Sequence, residues 1–265
     1  MTRLSCSGTW LTLYCLAHAG GSAQPYGRLG AAVPRGVRVV PLELPGHGTR
    51  LRESLLGEME LVVTEVVRLI RRDQEEQGDG DGRDRSFALF GHSFGALVAY
   101  ETTRRLRQSG AVPELLLVSG RISPAWPPTH EPLHMLPDPL FTAGLSRMGG
   151  IPEALFATPA VLQLFLPSLR ADLRMVETYV HPHTEPLDVP IAAFAGLGDR
   201  LTHTEGMKAW SELTSRAFDL AFLPGGHFFL DEPGFRGAFE DRLTRIALSP
   251  VPTATEGGAT ASPEH

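Results

Sequence analysis

One serine in this 265-residue sequence stands between two glycines, where an apolar run meets an amphipathic one. The segment "SFALFGHSFGALVAYE" (residues 86–101) contains "GHSFG", with Ser93 at its centre, and matches the G-x-S-x-G pattern of a nucleophile elbow. In such an elbow a strand turns sharply into a helix, and the two glycines leave room for the turn. The pattern predicts that Ser93 is a nucleophile at the carboxyl edge of a sheet, beside a helix N-terminus that favours developing negative charge.

A serine hydroxyl is a weak nucleophile, so it needs a general base, and the base needs an acid that orients it. On this kind of elbow the partners follow in the chain order Ser, Asp or Glu, His. Asp199 comes directly after the apolar run "PIAAFAG", and His227 lies in a Gly-Gly turn after "AFDLAFLPG". We therefore predict a catalytic triad of Ser93, Asp199 and His227. Of the other acids, Asp188 precedes its strand, and Asp231 follows the histidine too closely to orient it.

Acyl transfer also needs an oxyanion hole, which is a pair of N–H donors for the developing negative charge. One donor is expected to be the backbone N–H of Phe94, directly after the nucleophile, and the other should come from a loop after an early strand. The segment "LAHAGGSAQPY" (residues 16–26) supplies such a loop. Its glycines let the backbone approach a substrate closely. The N–H of Ala19 is our candidate, and Gly20 is the alternative.

Short apolar segments alternate with longer amphipathic ones, which is typical of a doubly wound α/β domain with a mostly parallel sheet and helices on both faces. Strands are predicted at 9–17, 37–44, 86–91, 114–120, 190–196 and 217–225, and helices at 53–73 and 95–110. Residues 121–188 lack a strand pattern and contain helical pieces, so we predict a helical lid there. The core would then comprise residues 1–120 and 189–248. The glycine-rich loop at 74–85 is expected to be flexible, and the tail at 249–265 to be disordered.

Composition narrows the class of protein. The formal net charge of -6 gives no basic excess that would favour nucleic acid, and hydrophobic residues make up 42 % of the chain, enough for a sizeable core. The two cysteines form no C-x-x-C pair, which suits a reducing cytoplasm and predicts no metal site.

We interpret the N-terminal apolar run as a core strand, Trp10 to Ala17, rather than a secretory signal. No run approaches the roughly 20 apolar residues of a membrane span.

The whole pattern resembles the type II thioesterases that accompany modular polyketide and nonribosomal peptide synthases. The segments that carry the resemblance are "HAGGSAQPY", "ELPGHGTRLRE", "FGHSFGALVAYE", "GGIPEALFATPAVLQLFLPSLRADLRMVETY", "AGLGDR" and "PGGHFFL", and they span roughly residues 11 to 233. The family usually has a proline where this sequence has Ala17. The resemblance implies an α/β-hydrolase fold with a mobile helical lid. It also implies release of acyl groups from the phosphopantetheine arm of acyl or peptidyl carrier proteins.

The resemblance implies the same roles that the residues suggest: Ser93 as nucleophile, His227 as base, Asp199 as orienting acid, and Ala19 and Phe94 as oxyanion donors. Leucines and a phenylalanine at 162–166 would shape the acyl chamber, and they are equally explained as the core of the lid. We expect a monomer with no cofactor, because phosphopantetheine enters only as part of the substrate. Two alternatives remain open. One is a carboxylesterase or chain-releasing macrocyclase of the same fold, and the other is a non-catalytic hydrolase-fold binding module.

Overall fold

The computed structural model describes residues 11–77, 86–127, 131–149, 159–182 and 185–248. Its strands are β1 (Leu11–Leu16), β2 (Val37–Pro41), β3 (Phe87–His92), β4 (Leu115–Ser119), β5 (Ile191–Gly196) and β6 (Phe218–Leu223). Its helices are α1 (Met59–Glu76), α2 (Phe94–Gln108), α3 (Asp138–Met148), α4 (Pro159–Glu177), α5 (Thr204–Lys208) and α6 (Pro233–Leu248). Every predicted strand is present, with bounds that differ by a few residues.

The six strands form one sheet in the order β2-β1-β3-β4-β5-β6, and each neighbouring pair is parallel. Because parallel strands all end at the same edge, the loops that follow β1, β3, β4, β5 and β6 meet there. All the residues predicted to do chemistry lie in, or directly after, those loops.

Each face of the sheet is covered by helices, which explains the consecutive apolar residues of the strands. On one face, strand residues such as Leu89 and Val118 pack with α1, α2 and the buried Trp210. On the other, residues such as Phe90 and Phe194 pack with Phe235 and Phe239 of α6. The sheet is therefore a rigid platform, buried on both sides, that fixes where its loops begin.

The helix predicted at 53–73 begins instead at Met59. Leu55 packs against Gly46, and the carbonyl of Gly57 accepts a hydrogen bond of 2.7 Å from the Arg174 side chain. These tertiary contacts hold residues 53–58 outside the helix despite their helical spacing. The second helix follows the prediction closely, and Gly110 after its end has the left-handed φ of +79° expected of a C-terminal cap.

Between β4 and β5 lies the segment 121–188, hereafter the insertion, which contains α3 and α4. It has a small apolar core of its own, formed by Phe141, Leu145, Leu166 and Leu169. Its division from the sheet core, and its action as a lid, stay predictions. The predicted disordered tail and most of the predicted glycine-rich loop lie outside the described residues. No helix in the described ranges is long and apolar enough to cross a membrane.

Candidate active site

Ser93 stands on a sharp turn between β3 and α2, as the elbow pattern predicts. Its φ is +55°, and within the described part of the chain no other residue except glycine has a positive φ. A Cβ on Gly91 would lie 2.0 Å from the Gly95 carbonyl oxygen, and a Cβ on Gly95 would lie 2.3 Å from that of Leu16. Both positions therefore require glycine. The surrounding backbone forces the serine into a strained conformation, which is characteristic of functional turns.

Asp199 and His227 meet behind this turn, although 28 residues separate them. His227 Nδ1 lies 2.9 Å from Asp199 Oδ2, and the two side chains are only 2 % and 0 % exposed. The other carboxylate oxygen accepts a 2.9 Å hydrogen bond from the N–H of Leu201. Because a carboxylate only accepts hydrogen bonds, Nδ1 carries a proton, and the lone pair of the neutral ring is then on Nε2. That tautomer is the one a general base requires.

Ser93 and His227 line the same cavity, which has a volume of about 290 Å³ and whose wall includes Ala19. In the portion of the chain that the structure describes, no hydrogen bond joins the serine hydroxyl to the imidazole. Nucleophile–base hydrogen bonds in hydrolases are often long before substrate binds and shorten in the reacting complex. The geometry thus puts the predicted base and the predicted nucleophile at one cavity, where the bound substrate would complete their approach.

His92 and Gly120 support the His227 ring from behind. The rings of His92 and His227 have centroids 5.0 Å apart, and His92 Nδ1 lies 3.0 Å from the Ser119 hydroxyl. Burial lowers the pKa of His92 well below its usual range, so this ring stays neutral beside the base. Gly120 has a φ of +61°, and a Cβ there would lie 2.5 Å from His92 Cε1. His92 is therefore a packing residue rather than a second base.

The two oxyanion candidates, Phe94 and Ala19, come from different segments of the chain. Phe94 is the first residue of α2, so its N–H has no acceptor within the helix. Ala19 lines the cavity, and no hydrogen bond among the described residues uses its N–H. The N–H of Gly20, the alternative donor, instead donates a 2.8 Å hydrogen bond to Asp172 Oδ2 on α4. Of the two adjacent amides, only that of Ala19 is free to face a substrate.

The apolar wall of the cavity differs from the expected one. On α4 it is formed by Leu169, Leu173 and Val176, and no residue of 162–166 lines it. Leu164 is 61 % exposed, and Leu162 and Leu166 pack in the core of the insertion. The expectation that residues 162–166 shape the chamber is therefore wrong. The helix was recognised, but the face that it turns toward the site depends on how it is docked.

His18 is a cavity residue that the sequence reasoning missed. The Tyr26 oxygen accepts the His18 backbone N–H at 3.2 Å, and the Tyr26 hydroxyl lies 3.0 Å from His18 Nδ1. Burial lowers the pKa of His18 to about 4, helped by the nearby imidazoles of His227 and His47. The ring is therefore neutral at physiological pH and shares a hydrogen bond with the Tyr26 hydroxyl. Its place directly before Ala19, in "HAGG", was the signal that could have revealed it.

A parallel sheet with a serine elbow after one inner strand, and a buried His–Asp pair in the loops after its last two strands, defines the α/β-hydrolase class. Solved structures agree with this fold. The type II thioesterase BorB from the borrelidin biosynthetic cluster matches with a TM-score of 0.78 and 31 % identity, over 93 % of this chain and 96 % of that chain. The predicted fold is thereby confirmed.

Sequence comparisons give the family. The model of the thioesterase domain matches residues 11–243. The gramicidin S biosynthesis protein GrsT of Aneurinibacillus migulanus is 33 % identical, over 92 % of this chain and 93 % of its own length. Thioesterase PikA5 of Streptomyces venezuelae is 37 % identical, over 83 % of this chain and 75 % of its own length. The chain belongs to the thioesterase-domain family and is a hydrolase, which confirms the resemblance seen in the sequence.

Proposed function

We propose that this thioesterase removes acyl groups from the phosphopantetheine arm of acyl or peptidyl carrier proteins, with Ser93 as nucleophile, His227 as base and Asp199 as orienting acid. The observation that carries the proposal is the strained serine at a cavity shared with a histidine that a buried aspartate holds in the basic tautomer. The relatives named for gramicidin S and borrelidin biosynthesis support the substrate class.

The proposed reaction has two halves. His227 Nε2 takes the proton of the Ser93 hydroxyl as the oxygen attacks the thioester carbonyl, and the N–H groups of Ala19 and Phe94 bind the resulting oxyanion. The carbon–sulfur bond then breaks, and the pantetheine thiolate leaves with the proton held by His227. In the second half, His227 takes a proton from water as the water oxygen attacks the acyl-enzyme carbonyl. His227 then returns that proton to the Ser93 oxygen as the ester bond breaks, which releases the free acid and restores the serine hydroxyl. Asp199 stabilises the imidazolium in both halves.

The cavity supports a substrate of limited size. At about 290 Å³ it lies at the lower end of the range for ligand pockets. Its α4 wall is apolar at Leu169, Leu173 and Val176, whereas Arg121 and Glu177 also line it. We propose that short acyl groups are preferred. The mechanism uses no resident cofactor, because the phosphopantetheine arm belongs to the substrate.

The test compares a short acyl group on a carrier protein with the same group on free pantetheine and on an oxygen ester. We expect kcat/KM to be highest for the carrier-bound thioester, and every activity to be lost in Ser93→Ala. Ser86→Ala is the matched control, because Ser86 lies just before β3, at the opposite end of that strand. Equal rates with carrier and pantetheine would refute carrier recognition. A faster oxygen ester would favour an esterase, and activity in Ser93→Ala would refute the nucleophile.

A further inference from the structure

Asp172 is a buried carboxylate that the proposed mechanism does not use. It lies on α4, in the insertion, and is 1 % exposed. Its Oδ2 accepts the N–H of Gly20 at 2.8 Å and lies 2.9 Å from His47 Nε2. The three residues are far apart in the chain, separated by 152 and 125 positions. One carboxylate oxygen thus joins the insertion to the loop after β1 and to the loop after β2.

The hydrogen bonds around His47 fix its protonation. Its Nδ1 lies 3.0 Å from the carbonyl oxygen of Pro45, which only accepts, so this nitrogen carries a proton. Its Nε2 faces the Asp172 carboxylate, and a second proton must lie between those two atoms. Burial by itself lowers the pKa of His47, but the hydrogen bond and charge of Asp172 outweigh it, and the pKa is raised. The contact is therefore an imidazolium–carboxylate pair.

This pair bears directly on the candidate oxyanion loop. Gly20 has a φ of +66°, and a Cβ there would lie 3.0 Å from Leu169 Cβ, so the loop is packed tightly against α4. With its N–H bound to Asp172, Gly20 turns its amide toward α4 and cannot serve a substrate. The neighbouring Ala19, whose N–H has no acceptor in the described residues, lies at the cavity.

We propose that Asp172 is a positioning residue that, paired with protonated His47, holds Gly20 so that the Ala19 N–H completes the oxyanion hole. The inference rests on the proposed function, because it assumes that the Ala19 amide binds the oxyanion. The insertion then acts on the chemistry of the core as well as on access to it, since the site is complete only while α4 is docked.

The charges around His47 set the sign of the pH dependence. Besides Asp172, it faces Glu43, whose carboxylate accepts the N–H groups of Ala23 and Thr49, and His18, which is neutral. Because the pKa of His47 in the folded protein lies above its ordinary 6.5, the pair is intact at and below that value. It is lost as the pH rises through the folded-state pKa, and ordering of the oxyanion loop should weaken on the alkaline side.

The first experiment compares Asp172→Asn with Arg174→Gln on acyl-pantetheine, a substrate without a carrier. Arg174 is the matched control, because it also ties α4 to the core, through the Gly57 carbonyl, but does not touch the oxyanion loop. We expect kcat of Asp172→Asn to fall about 10- to 100-fold with little change in KM, since only transition-state binding is weakened. Arg174→Gln should keep a kcat close to that of the wild type. Equal losses in both variants, or none in Asp172→Asn, would overturn the proposal.

The second experiment uses His47→Gln, which keeps a donor for Asp172 but cannot titrate. This variant also tests the proposal if Asp172→Asn does not fold. The wild type should show an alkaline decline in kcat that His47→Gln lacks, and nitrogen-15 NMR of labelled histidine should find His47 doubly protonated at neutral pH. The same alkaline decline in both proteins, or a neutral His47, would overturn the proposal. Inactivity of Ser93→Ala in the same assay tests the proposed function separately.

Discussion

The sheet core and the insertion contribute to the same site, but they are held in different ways. In the core, Ser93, Asp199 and His227 lie on short loops that follow strands of the parallel sheet, and the strands before Ser93 and Asp199 are fully buried. The insertion has a small apolar core of its own. The polar side chains that tie it to the core include Asp172 and Arg174.

This difference separates the residues proposed to carry out the reaction from those that adjust its rate. The backbone of the sheet imposes the positions of the proposed triad, so they depend on local chain geometry near Ser93 and on one buried His–Asp hydrogen bond. The insertion contacts the loops of the active site through single side chains that are distant in the sequence. One of these is Asp172, which accepts the Gly20 N–H. Substitutions in the core should therefore remove activity or stability, whereas those in the insertion should adjust the rate and its pH dependence.

The largest expected effect comes from comparing the two buried aspartates. Asp199→Asn should lower kcat about 10³- to 10⁴-fold, because an amide can hold His227 in the wrong tautomer and cannot stabilise the imidazolium. Asp172→Asn should cost at least tenfold less than that. Steady-state kinetics on one acyl-pantetheine substrate measure both, with circular dichroism as the control for folding. If kcat fell by a similar factor in both variants, the core and the insertion would not differ in their contribution to catalysis.

An intermediate effect is expected from adding a methyl group to a glycine in each region. Gly95→Ala should lower the free energy of unfolding by about 3 kcal/mol or more, because its Cβ would meet backbone that cannot move, the Leu16 carbonyl at 2.3 Å. Gly144→Ala, in α3, meets only the end of the Leu133 side chain at 3.0 Å and gains helix propensity, so its change should stay within about 1 kcal/mol. Urea unfolding measures both. A free energy of unfolding that is nearly unchanged in Gly95→Ala would contradict the rigid elbow.

The smallest expected effect distinguishes two histidines whose pKa values are shifted in opposite directions. The pKa of His18 is lowered to about 4, so its contribution to stability is present above its ordinary 6.5 and is lost as the pH falls toward 4. His47 behaves oppositely, because its pKa is raised and its contribution is lost as the pH rises. His18→Gln should reduce the loss of stability below about pH 6, and His47→Gln should reduce the loss on the alkaline side. Urea unfolding across pH checks this, and shifts in the reverse directions would be inconsistent with both assignments.

The parts of the fold that could be predicted are those with a local signature. The inner strands were recognisable because burial on both faces gives nearly uninterrupted apolar runs, and α2 because the elbow and Gly110 mark its two ends. The start of α1 was misplaced because tertiary contacts of Leu55 and Gly57 override helical spacing. Helix α6 was not predicted, because it begins with Pro-Gly and has only a weak amphipathic pattern.

The residues of the candidate site likewise differ in whether the sequence could identify them. Ser93, Asp199 and His227 could be proposed because chain order and turn chemistry select them. Asp172 and His47 could not, because an aspartate in a helix and a histidine in a loop carry no signal until folding brings them together. The pairing of His47 with Asp172 became visible only in the structure.

Direct observation of the acyl-enzyme is the sharpest test of the central claim, that Ser93 is the nucleophile served by His227 and Asp199. The enzyme is mixed with an excess of acyl-pantetheine, quenched with acid, digested and examined by mass spectrometry. We predict one acyl group on the peptide that contains Ser93, formed in the wild type and absent in Ser93→Ala and His227→Ala. Turnover with the acyl group on another residue, or undiminished acylation in His227→Ala, would contradict the account.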